Sequence, residues 1–85
     1  MARYKLLFKK SVARDLRGIR KKDVQRILKR IKALADDPHP DGCEKLTDQE
    51  HYRVRQGSYR VVYEVKDDVL VIISVRIVHR REVYR

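Results

Sequence analysis

The stretch EHYRVRQGSYRVVYEV, Glu50 to Val65, fixes the architecture. On either side of Gly57-Ser58 the residues alternate with period two, which is the pattern of a β-hairpin closed by a two-residue loop. That loop sets the register. Val54 falls opposite Val61, Tyr52 opposite Tyr63, and Arg55 opposite Arg60. The apolar side belongs to a core. The other side carries Arg53, Arg55 and Arg60, and like charges facing each other across a strand pair destabilise it. A bound anion that neutralises the three guanidinium groups explains the arrangement. The competing explanation is a solvated face whose charges are screened by salt, over about 8 Å at physiological ionic strength.

On the C-terminal side, Lys66-Asp67-Asp68 reads as a turn into a further strand, Val69 to Ile77, apolar on both faces at its start as a covered strand is. Upstream, Tyr4 to Phe8 reads as a short strand and Ser11 as a helix N-cap. Val12, Leu16 and Ile19 share one helical face. After Gly18 and Arg20-Lys21-Lys22, a second stripe runs through Val24, Ile27, Leu28, Ile31, Leu34 and Ala35. Prolines 38 and 40 and Gly42 end it. The expected architecture is α+β, one domain over residues 1–85, in the order β-α-α-β-β-β. A helical hairpin packs on one face of a small, mostly antiparallel sheet.

Composition narrows the function. The chain has 85 residues and a formal net charge of +10. Such an excess favours polyanionic partners, above all nucleic acid or a ribonucleoprotein. The two halves differ in kind. Met1 to Leu46 holds eight Lys and six Arg, whereas His51 to Arg85 holds seven Arg and one Lys, Lys66. Arginine grips phosphate bidentately and keeps its charge when partly buried. The single cysteine, Cys43, has no internal disulfide partner. The longest apolar run, Val69 to Ile73, is far too short to span a bilayer, and no apolar stretch of signal-peptide length stands at Met1 to Phe8. A cytoplasmic protein is expected, with no membrane association. His39 and His51 have no partners at metal-ligand spacing, so no metal and no cofactor is expected.

The hairpin motif R-x-G-x-Y-R-V-V-Y and the terminal H-R-R-E-V-Y, preceded by a strand and an αα-hairpin, resemble the RelE branch of the RelE/ParE toxin superfamily over essentially the whole chain. The resemblance implies the toxin of a type II toxin–antitoxin pair, a ribosome-dependent mRNA endonuclease (an mRNA interferase) that cleaves in the A site without a metal. Its partners would be the ribosome, mRNA and a RelB-like antitoxin. It implies that Arg53 and Arg55 bind RNA where that branch has lysines, and that Arg60 grips the scissile phosphate. Arg80 would supply charge stabilisation or general acid, and Tyr84 would orient or deprotonate the 2′-hydroxyl. Other branches use a carboxylate and a histidine, for which Glu44, Glu82 and His79 are the candidates.

The chemistry so implied is attack by a 2′-OH on the adjacent phosphate, giving a 2′,3′-cyclic phosphate and a 5′-OH. Three arginines on one face suit the charge of the phosphorane. Proton transfer is harder, because free Tyr titrates near about 10 and Arg above about 12, far from the neutral range that suits general acid–base catalysis. Surrounding arginines would lower a Tyr84 phenol. His79 is the only side chain near the motif of a type that titrates near neutrality, and a solvent-facing strand-end histidine is its plain alternative. The basic side of the second helix, Lys22, Arg26, Lys29, Arg30 and Lys32, is either an RNA contact or a solvated face. Two other functions stay open: a ParE-like inhibitor of DNA gyrase, and a non-catalytic basic module that binds RNA or an acidic protein.

Overall fold

A computed structural model describes residues 3–46 and 51–79. The elements are β1 (Lys5–Phe8), α1 (Lys10–Arg17), α2 (Lys21–Leu34), β2 (Glu44–Lys45), β3 (His51–Gln56), β4 (Tyr59–Lys66) and β5 (Val71–His79). The strands form one mixed sheet in the order β1-β5-β4-β3-β2. β1 runs parallel to β5 and the other neighbours are antiparallel. The expected α+β fold is therefore present, with β2 as an added edge strand. Two residues are too few to leave a period in the sequence, so β2 has no signature of its own.

The hairpin register is the one the Gly57-Ser58 loop dictates, with Val54 opposite Val61, Tyr52 opposite Tyr63 and Arg55 opposite Arg60. Gly57 takes φ +61, the left-handed sign that a primed two-residue turn needs at its first position. On the helix side, Val54, Val61, Tyr63 and Val65 of the sheet meet Ile27, Ile31 and Leu34 of α2 and Val12 of α1 in the core. Burying an isoleucine of this kind contributes about 1.5–3 kcal/mol. Tyr52 and Tyr63 stack with ring centroids 5.9 Å apart. The Tyr63 hydroxyl donates to the Pro38 carbonyl at 2.8 Å, tying the loop before β2 to the core. Burial, first among its causes, pushes the Tyr63 phenol well above the usual tyrosine range.

Three local expectations differ from the structure. Ser11 is not the N-cap of α1, because Lys9 occupies that position without a side-chain cap. Ser11 lies inside the first turn and donates to the Val75 carbonyl at 2.6 Å. β5 begins two residues later than its apolar run, because Leu70 adopts φ +53 and the turn extends to it. It also continues past Ile77 to His79.

The third difference decides where His79 goes. Between Val62 and Tyr63 the β4–β5 register slips, so that Val62 faces Arg76 and Tyr63 faces Ser74, leaving Val75 as the extra residue of a bulge. An extra residue reverses the alternation of a strand. Ile72 and Ser74 are buried before the bulge and Ile77 after it. β1 pairs with β5 only as far as Ser74, and α1 covers the edge beyond. There the Asp15 carboxylate accepts the Ile77 N–H at 2.9 Å.

Candidate functional site: an arginine cavity on the outer face of the hairpin

Strand alternation sends Arg53, Arg55 and Arg60 to the face of the hairpin turned away from the core. They line one cavity of about 280 Å³ together with Arg30, Gly42 and Glu44. Arg55 and Arg60 are directly opposite each other on the two strands. Gly42, with φ +87, turns the chain into β2 at the rim of the cavity.

One carboxylate enters this cluster. β2 places Glu44 opposite Arg53, and the Arg53 Nε donates to Glu44 Oε1 at 3.0 Å. The hydrogen bond and charge of Arg53, with a smaller contribution from Arg60, hold the Glu44 carboxyl below the usual carboxylate range. Arg53 thus has an internal partner. Among the described residues, four guanidinium groups and one carboxylate line the cavity, which is cationic to that extent. Arg55 is exposed and has no carboxylate partner among the described residues.

His79 does not join the arginines. The Val75 bulge turns it to the helix side, where it pairs in register with Tyr59. The two rings meet edge to face, with centroids 5.0 Å apart and planes at 87°. His79 lines two cavities there, one with Tyr59, Ile27 and Arg26 and the other with Tyr59, Ile77 and Asp15. The sequence reading names His79 a substrate-binding candidate with Arg53 and Arg55; the structure places it on the opposite face of the sheet from them. Arg80, Glu82 and Tyr84 lie outside the described residues. His39 makes an edge-to-face contact with Tyr52 at 4.8 Å and is thereby a packing residue.

Arg30 is the residue that sequence reasoning did not connect with the cavity. β2 pairs with Tyr52 and Arg53, so among the described residues β3 has no strand partner on this side from Val54 to Gln56. At that edge Arg30 of α2 lines the cavity next to the sheet arginines. Its Nε is buried and has no hydrogen-bond partner among the described residues. A basic residue on the polar side of a helix was visible in the sequence. A short β2 that leaves the way round the sheet edge open was not.

Comparison with known proteins agrees with this fold. A family model described as the ParE toxin of type II toxin–antitoxin system, parDE, matches residues 6–84. The chain belongs to the RelE/ParE superfamily of toxins. A solved RelE–RelB complex from Pyrococcus horikoshii has 29% identity and a TM-score of 0.82, covering 94% of this chain and 97% of that one. The RelB–RelE complex from Methanococcus jannaschii also has 29% identity, with a TM-score of 0.72, covering 92% and 94%. The isolated RelE toxin of E. coli matches at 21% identity with a TM-score of 0.78, covering 95% and 90%, a likeness of fold alone. No curated protein matches the sequence significantly.

Proposed function

We propose that this toxin is a ribosome-dependent, metal-independent mRNA endonuclease of the RelE kind. The observation that carries the reading is the convergence of Arg53, Arg55 and Arg60 in one cavity on the outer face of the hairpin. Their mutual repulsion is unfavourable in the free protein and is relieved when a phosphodiester enters. In the reaction the 2′-oxygen forms a bond to phosphorus and the bond from phosphorus to the 5′-oxygen breaks. The 2′ proton goes to a base, and the leaving 5′-oxygen acquires one. Arg60 and Arg55 offset the charge that builds on the phosphorane. Arg53 acts at the rim, with Glu44 holding its guanidinium in place. Arg80 adds charge stabilisation, and Tyr84 orients or deprotonates the 2′-hydroxyl.

Glu44 is the one described carboxylate in the cavity, but its lowered pKa makes it a weak base. Comparing Glu44→Gln with Tyr84→Phe identifies the proton acceptor. His79, on the other face, is not a substrate ligand at the scissile phosphate. In this reading the ribosome supplies in-line geometry. Positioning of that kind contributes on the order of 7–11 kcal/mol in favourable systems.

The partner is a RelB-like antitoxin. β1 is an edge strand with Leu7 and Phe8 exposed, an apolar edge of the sort that a partner chain covers. No described helix is long and apolar enough to cross a membrane. A ribosome-directed toxin acts in the cytoplasm.

The family model carries the ParE description, and this favours a second reading, inhibition of DNA gyrase without RNA cleavage. Primer extension on mRNA in a translating extract, run beside a gyrase supercoiling assay, separates the two. A-site cuts support the nuclease. Inhibited supercoiling without cuts supports the ParE reading, and neither result leaves a non-catalytic RNA- or protein-binding module.

A further inference from the structure

Three depressions of the surface share lining residues. Arg30 belongs both to the arginine cavity and to a groove of about 430 Å³ along α2, which is also lined by Arg26, Lys29 and Gln56. Arg26 and Gln56 belong in turn to a third cavity of about 280 Å³ that ends on Tyr59 and His79. Through these shared residues they lead from the outer face of the sheet, round the edge of β3, to the helix side. Arg26 and Arg30 are one helical turn apart, about 6 Å along the axis of α2, and so sit on the same face.

The groove presents Arg26, Lys29 and Arg30, with no carboxylate among the described residues that line it. The third cavity adds Arg20 and one carboxylate, Asp23. The buried Arg30 Nε lacks an acceptor among the described residues, and an unsatisfied buried donor costs about 1–3 kcal/mol. Phosphate oxygens arriving at the junction of cavity and groove supply that acceptor. The far end offers the Tyr59–His79 pair, and aromatic rings stack single-stranded bases without regard to sequence. Backbone cations leading to a ring platform form the usual layout of a single-strand path.

We propose that a single strand of RNA continues from the arginine cavity along the Arg30–Arg26 face of α2, with a flanking base at Tyr59 and His79. This extends the proposed nuclease site and rests on that reading for which phosphate is cut. It gives His79 a place on the substrate path several residues away from the scissile phosphate, on the opposite face of the sheet. It also assigns the basic face of α2 to the cleaved strand itself.

The test measures binding of the full chain to labelled oligoribonucleotides of about four and about twelve nucleotides across a salt series. Both carry a 2′-O-methyl group at every position so that neither can be cut. Removing one cation that meets a phosphate of a single strand makes the slope of log K against log salt shallower by about 0.7. Arg26→Ala with Lys29→Ala removes two exposed charges from the groove. The slope for the longer strand is expected to become shallower by about 1.4, while that for the shorter strand is unchanged. Lys5→Ala with Lys10→Ala removes the same charge at the opposite edge of the sheet and changes neither slope. Tyr59→Ala weakens only the longer strand. The proposal is overturned if the groove pair changes the longer strand no more than the Lys5 and Lys10 pair does, or changes both lengths alike. Arg60→Ala tests the other reading separately. Unchanged binding of the short strand in that variant removes the phosphate site and leaves the length dependence to be judged by itself.

Discussion

The two faces of the β3–β4 hairpin are built from alternate residues of the same strands and obey opposite rules. On the helix side Val54, Val61 and Tyr63 are almost wholly buried. The polar atom of that face, the Tyr63 hydroxyl, is bonded to Pro38. On the outer side Arg55 meets Arg60 across the ladder, with Glu44 the one carboxylate among the described residues at the cavity they share. Around Val54, Val61 and Tyr63 one face is closed, whereas the other is open and brings Arg55 against Arg60. Period two lets the chain give core packing to one set of residues and the arginine cavity to the other, with the backbone as a shared support.

That division predicts which changes alter folding and which alter activity. The greatest change is in the core: Ile27→Ala is expected to lower unfolding free energy by about 2–5 kcal/mol, measured by denaturant titration. Next is Tyr63→Phe, which removes the bond to the Pro38 carbonyl. It costs about 0.5–1.5 kcal/mol and loosens the loop that carries Gly42 and Glu44, so cleavage falls with stability. By contrast, Arg55→Ala relieves a like-charge pair, and its thermal midpoint is expected to equal or exceed that of the wild type while RNA binding weakens. A lower midpoint would show that the outer face also holds the fold together.

The slightest change is one of pH. Glu44 has a folded pKa below its ordinary value because Arg53 bonds to the ionised form. Its contribution to stability is therefore present above the ordinary carboxylate range and is lost as pH falls through the lowered value. Glu44→Gln is expected to flatten the acid limb of the stability curve in that window and to leave the curve at neutral pH nearly unchanged. An acid limb identical to wild type would argue against the ion pair.

The hairpin was legible in the sequence because a two-residue loop leaves one register, and register fixes the face of every side chain. Ile27, Ile31 and Leu34 were legible for the same kind of reason, a helical period without interruption. Two features were not. The Val75 bulge inserts one residue into β5 and moves His79 from the arginine side to the helix side, and a single strand's residues give no notice of it, since a bulge is a property of the pair. The shortness of β2 opens the sheet edge to Arg30, and a two-residue strand has no period to detect. Both failures concern how elements meet, whereas the successes concern what each element is.

If Arg60 serves a phosphate more than the fold, removing it must separate activity from stability. Single-turnover cleavage of mRNA on programmed ribosomes by Arg60→Ala, at saturating protein, is the decisive experiment. The rate is expected to fall by about 10²–10³, the usual loss when one preorganised charge donor is removed, in a protein that melts no lower than wild type. Cleavage at the wild-type rate would refute the assignment of these arginines to the scissile phosphate.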